Sequence, residues 1–176
     1  ADAQKAAELG TDFLGFIFWK KSPRCANEAT VRTISAELKS MPNAPKLVGV
    51  IVDVQSDEGK TVQRLVREGV LDAIQLHGCA DAFFAAQASE LPHYAVVNIS
   101  TEEDLKKIDE LRLRGEPRIL IDAKAGIMPG GTGTRIADAL VEQVAHKTRL
   151  WLAGGITAEN VRSILDRKST RLNSSH

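Results

Sequence analysis

Six short apolar runs punctuate the chain: "DFLGFIF" (12–18), "KLVGVIVD" (46–53), "AIQLHG" (73–78), "YAVVNIS" (94–100), "RILIDA" (118–123) and "RLWLAG" (149–154). Each is nearly continuous in apolar residues rather than alternating. That pattern suits parallel strands covered on both faces. Between the runs, apolar residues recur at helical spacing at about 26–40, 57–68, 81–91, 102–114, 135–146 and 158–166. Three of these stretches open on a helix-start residue, Asn27, Ser56 and Thr101, each followed directly by an acid that suits the positive end of a helix. All six prolines (Pro23, Pro42, Pro45, Pro92, Pro117 and Pro129) fall in connections. The opening "ADAQKAAELG" also reads as a helix, with Gly10 as its C-cap.

Strict alternation of strand and helix predicts an α/β protein with a parallel sheet. A doubly wound sheet would place a glycine-rich "GxGxxG" turn after its first strand, and none is present. A (β/α)₈ TIM barrel fits better, although such barrels run from about 200 residues upward. The leading helix lacks its strand, and no eighth unit follows the last helix pattern. The expectation is therefore a barrel truncated at both ends: a single domain over 1–166, then a polar, non-native tail, "RKSTRLNSSH", over 167–176. An open barrel of this kind would leave two edge strands unpaired, which predicts marginal stability or association through those edges.

Composition narrows the function. Lys+Arg and Asp+Glu both total 23, so the formal net charge is zero, and a general binder of nucleic acid or of anionic membranes is not expected. No apolar run approaches the roughly 20 residues of a membrane span. The two cysteines, Cys25 and Cys79, form neither a disulfide framework nor a metal-spaced cluster, which points to a reducing cytoplasm.

In a barrel, chemistry belongs at the carboxyl ends of strands and in the loops that follow. That filter selects Arg24 in "WKKSPR", Asp53, His77, Asp122, and the glycines of "PGGTG" (129–133) and "AGG" (153–155). Burial of a carboxyl at a partly dry barrel mouth favours its protonated form, so Asp122 reads as a proton donor, or else as a cap or a partner of Lys124. Arg24 could hold a carboxylate or phosphate in a bidentate fork, or lie solvated on the surface. His77 could serve the site or be a core histidine bonded to backbone. Cys79, two residues on, need not face it and reads as structural. The two glycine loops offer exposed amides beside a helix start, an arrangement that binds anions, and barrel phosphate sites favour these late loops.

In series, "DFLGFIF…SPR", "VGV", "QLHG", "DAK…PGGTG" and "WLAGGI…ENV" resemble phosphoribosylanthranilate isomerase of tryptophan biosynthesis, over roughly residues 8–165. The resemblance implies a (βα)₈ barrel without cofactor or metal, acting on a small-molecule substrate and existing as a monomer or homodimer. The implied reaction is an Amadori rearrangement of N-(5-phosphoribosyl)anthranilate to 1-(o-carboxyphenylamino)-1-deoxyribulose 5-phosphate. By this resemblance Asp122 is the general acid that protonates the furanose ring oxygen. Arg24 holds the anthranilate carboxylate, and His77 supports the site. Gly131 and Gly133 belong to the loop that covers the substrate, and Gly154 and Gly155 to the first half of the phosphate cradle.

Three departures from the family pattern stand out. The family's general base is a cysteine in "K-x-C-G", and neither Cys25 nor Cys79 occupies that motif. No "SSGVE"-like second half of the phosphate cradle is present, and "RIADAL" stands where "FDW" often follows "GGTG". The polypeptide as sequenced is therefore expected to be a poor catalyst. Two alternatives remain: another phosphate-binding barrel such as indole-3-glycerol-phosphate synthase, or a non-catalytic remnant that binds a phosphorylated metabolite. The synthase would need further strand-end lysines, and a metal-dependent epimerase further histidines.

Overall fold

A computed structural model describes residues 2–77, 90–99, 101, 103–113, 115, 118–122, 150–153, 156, 158–159 and 161–162. In chain order the elements are α1 (Asp2–Glu8), β1 (Phe13–Ile17), α2 (Glu28–Lys39), β2 (Lys46–Ile51), α3 (Asp57–Arg67), β3 (Ala73–His77), β4 (His93–Asn98), α4 (Glu103–Leu113), β5 (Ile119–Asp122) and β6 (Leu150–Ala153). Every strand expected from the apolar runs is present. The helix expected over 135–146, and most of those over 81–91 and 158–166, lie outside the described residues.

The six strands form one sheet in the order β1-β2-β3-β4-β5-β6, and every neighbouring pair is parallel. Each strand must be carried back to the same end before the next begins, and helices are the economical way to do that. All carboxyl ends therefore share one rim.

Alternation along the strands sorts side chains onto two faces. Leu47, Ile51, Ile74, Leu76, Ala95, Val97, Ile99, Ile119 and Ile121 point outward and join one buried cluster with Val31 and Leu38 of α2, Val62 and Leu65 of α3, and Ile108 and Leu111 of α4. Each large apolar side chain buried there contributes about 1.5–3 kcal/mol. This outer layer is the main core.

The other face looks into the barrel. Tyr94 donates its hydroxyl to Gln75 Oε1 at 2.8 Å, directly across the β3–β4 ladder. Trp151 of β6 meets Tyr94 edge-on, with centroids 5.1 Å apart, and Arg118 lies 5.2 Å over its ring. Phe13 of β1 also packs on Trp151, at 4.7 Å between centroids. Strands β1 and β6 stand at opposite ends of the sheet order, so this contact shows how far the sheet curls. The aromatic layer lies near the amino-terminal ends of the strands and leaves the opposite rim for polar groups.

The helix starts follow the sequence signals. Asn27 caps α2 by accepting from the Ala29 and Thr30 amides at 2.8 and 3.4 Å, and Ser56 caps α3 by accepting from Gly59 N–H at 3.0 Å. Thr101 and Asp104, the latter in the first turn of α4, bond reciprocally: the Thr101 amide donates to Asp104 Oδ2 at 3.0 Å and the Asp104 amide to Thr101 O at 3.2 Å. Gly10 follows α1 with φ +80°, the left-handed geometry of a glycine C-cap. On the surface, Arg64 grips Glu28 with both arms, at 2.8 and 3.0 Å, and Arg32 bridges Glu28 and Glu68. These contacts tie α2 to α3. Hydrogen bonds from Arg64 and then Arg32 hold the Glu28 carboxyl below its ordinary range.

Gly59 sits where the first turn of α3 presses against the preceding loop. A Cβ there would lie 2.3 Å from the Asp53 carbonyl oxygen and 2.5 Å from that of Val54. Both are backbone atoms that cannot swing aside. Gly59→Ala would gain about 1 kcal/mol of helix propensity and lose about 3 kcal/mol to overpacking. The expected outcome is a net loss of roughly 2 kcal/mol in chemical denaturation; unchanged stability would show that the loop yields.

Tyr94 is the single tyrosine of the chain, and burial pushes its phenol up to about 12. The folded state favours the neutral phenol. Its contribution to stability is complete below the ordinary value of about 10 and is lost as pH rises from there toward the folded value. Ultraviolet titration of phenolate is expected to give a midpoint near 12 for the folded chain and about 10 in denaturant. Coincident midpoints would mean that the Tyr94–Gln75 layer is open to water.

Candidate functional site

Three polar residues end consecutive strands on the inner face: His77 on β3, Asn98 on β4 and Asp122 on β5. Register places them. His77 pairs with Val96 and Asn98 with Asp122, while Val97 and Ile99, on either side of Asn98, belong to the outer core. The Ile99 amide donates to the Asp122 carbonyl at 3.3 Å, which continues the ladder one step past Asn98.

His77 and Asp122 are two strands apart, so their backbones stand roughly 10 Å from one another at about 4.8 Å per strand. Their side chains nevertheless converge to 3.9 Å between Nε2 and Oδ2, with 29% and 20% of each side chain exposed. They lean toward each other across β4. A separation of 3.9 Å is too long for a direct hydrogen bond and leaves both groups free to contact an atom bound between them. Asn98 belongs to the strand they span. Its Oδ1 is fully buried and has no hydrogen-bond partner among the described residues.

Arg24 lies on the same rim, in the loop from β1 to α2. That loop is closed by the Ala26 amide donating to Ile17 O at 2.7 Å. It is pinned to the start of α3 by Lys20 Nζ, 3.1 Å from Glu58 Oε1. Within it the Arg24 amide donates to Ser22 Oγ at 3.2 Å. The Arg24 side chain is exposed and its guanidinium has no ion-pair partner among the described residues, which leaves its fork of donors available. Cys25, beside it, is exposed and unpaired.

Asp53 does not join the group. The strand expected over 46–53 ends at Ile51, because Asp53 Oδ1 accepts from the Gln55 amide at 2.8 Å and its carbonyl accepts from Ser56 Oγ at 2.7 Å. This Asx turn uses the carboxylate to start α3. Gly131, Gly133, Gly154, Gly155, Cys79 and Lys124 lie outside the described residues. Among the described residues no three His, Cys, Asp or Glu side chains cluster as a metal site. Asn98 escaped the sequence reading. Its signal was present, a polar residue closing the apolar run "AVVN" in the position that Asp122 takes in "ILID".

The family model of N-(5'phosphoribosyl)anthranilate (PRA) isomerase matches residues 1–173. Among curated relatives, N-(5'-phosphoribosyl)anthranilate isomerase of Cereibacter sphaeroides is 36% identical over 168 residues, covering 92% of this chain and 76% of the relative. The enzyme of the same name from Neisseria meningitidis is 31% identical over 160 residues, covering 91% of this chain and 73% of the relative. The crystal structure of mutually generated monomers of the dimeric isomerase from Thermotoga maritima superposes with a TM-score of 0.67 at 29% identity, over 94% of this chain and 75% of that one. The fold agrees with a solved relative over nearly the whole chain, and the family model and relatives show that the chain belongs to the phosphoribosylanthranilate isomerase family.

Proposed function

We propose that the rim formed by Arg24, His77 and Asp122 binds N-(5-phosphoribosyl)anthranilate and promotes its Amadori rearrangement in tryptophan biosynthesis. The observation that carries this reading is the approach of Asp122 to His77 at the carboxyl ends of β5 and β3, in a chain of the isomerase family. Asp122 delivers its proton to the furanose ring oxygen. The C1–O bond breaks, and the nitrogen lone pair forms the C1=N bond of a protonated Schiff base. Loss of the C2 proton gives an enaminol, which tautomerises to the ketone of the product. His77, 3.9 Å from Asp122, lines the place of the reacting sugar. Arg24 takes the anthranilate carboxylate in a charge-assisted fork. The glycine amides of Gly154 and Gly155 receive the phosphate, and the loop with Gly131 and Gly133 covers the substrate.

Among the described residues of this rim, no group is assigned the removal of the C2 proton. Cys25 is exposed in the β1–α2 loop, and neither it nor Cys79 stands in a "K-x-C-G" motif.

Titration of the intrinsically fluorescent product, 1-(o-carboxyphenylamino)-1-deoxyribulose 5-phosphate, tests this directly. Saturable binding is expected. Arg24→Ala should weaken it by about 1.5–3 kcal/mol, the range for a hydrogen bond to a charged group. Absence of binding would sink the reading.

A further inference from the structure

We infer that Asn98 is a substrate-binding residue whose side-chain oxygen accepts a hydrogen bond from a sugar hydroxyl, an inference that rests on the function proposed above. The side chain occupies the lumen end of β4, in register with Asp122 and between the strands of His77 and Asp122. Its Oδ1 is buried without a partner among the described residues. A buried acceptor left unsatisfied costs stability. The outer core removes any structural need for it, since Val97 and Ile99 on the same strand already anchor β4. An apolar side chain at position 98 would serve the fold better.

The class of group that would satisfy Asn98 follows from the substrate. Its carboxylate and phosphate offer only acceptors, which a carbonyl oxygen repels. Its donors are the hydroxyls of the sugar and the anilino N–H. The neighbouring ortho carboxylate can take that N–H in a six-membered ring, which leaves the hydroxyls. Asp122 acts on the ring oxygen of the same sugar, and Asn98 is its partner in register. One strand thus supplies the acid and the next the acceptor that fixes the sugar beneath it.

The test uses the full chain and two ligands, the fluorescent product and anthranilate alone, with the variants Asn98→Leu and Asn98→Ala. Each variant is expected to weaken product binding about tenfold, the loss of one net hydrogen bond, and to leave anthranilate binding unchanged. Thermal unfolding of Asn98→Leu is expected at a higher temperature than that of the parent, since the orphaned oxygen is gone. Product affinity unchanged in both variants would overturn the inference, as would equal weakening toward anthranilate. A lower unfolding temperature for Asn98→Leu would also overturn it, by showing a structural role. Failure of the parent chain to bind product is a separate outcome and counts against the proposed function itself.

Discussion

Parallel pairing is the constraint from which the rest follows. Five parallel ladders join six strands, and a parallel neighbour can be reached only by a crossover that returns the chain to the same end. Helices α2, α3 and α4 make three of those returns, and their apolar faces have nowhere to go but the outer face of the sheet. The outer face is therefore apolar by necessity. The inner face is released from that duty and can carry Gln75, His77, Asn98 and Asp122. The separation also orders the inner face along the strands. The aromatic group of Phe13, Tyr94 and Trp151 fills it toward one end, and the polar residues end the strands at the other.

The energetics divide in the same way. Burial of the outer cluster supplies the large favourable term, and close approach is part of it: a Cβ at Gly49 would come 2.5 Å from Val62 Cγ1, so α3 rests directly on β2. The ionic contacts of Glu28, Arg32, Arg64 and Glu68 lie on the surface, where such pairs add little and weaken with salt. They set how α2 and α3 meet rather than whether the chain folds. At the rim the balance reverses. An amide oxygen without a hydrogen-bond partner among the described residues costs stability rather than adding to it.

Much of this was legible in the sequence because it is local. Continuous apolar runs mark strands covered on both faces, and the observed strands begin and end within about two residues of those runs. Asn27 and Ser56 cap helices because an oxygen one residue ahead of a helix meets free amides within its own turn. Asp122, His77 and Arg24 could be placed at the rim because strand ends and following loops are readable from the same pattern. What could not be read depends on distance across the chain. Arg64 and Glu28 are separated by 36 positions, and the Tyr94–Gln75 bond and the Phe13–Trp151 contact arise only once register and curl are fixed. Asp53 misled for a different reason. A carboxylate after an apolar run looks like a rim acid, yet two residues later its own backbone offers an amide, and the Asx turn takes it. Asn98 was hidden by its surroundings: in "AVVNIS" it reads as a strand residue unless the alternation is followed to its end.

Register is what makes the site depend on the core. The period of a strand is two, so a slip of one residue exchanges its faces completely. For β4 such a slip would turn Val97 and Ile99 into the lumen and press Asn98 into the layer formed with Ile108 and Leu111, among the most apolar surroundings in the molecule. An amide buried there without partners costs about 1–3 kcal/mol by itself, and the displaced valine and isoleucine forfeit a comparable sum each. The same reasoning applies to β5, where Ile119 and Ile121 hold Asp122 inward. Asp122 and its neighbours on the rim are thus aimed by residues buried in the outer core. The apolar alternation that first identifies the strands is also the device that fixes which way the chemistry faces.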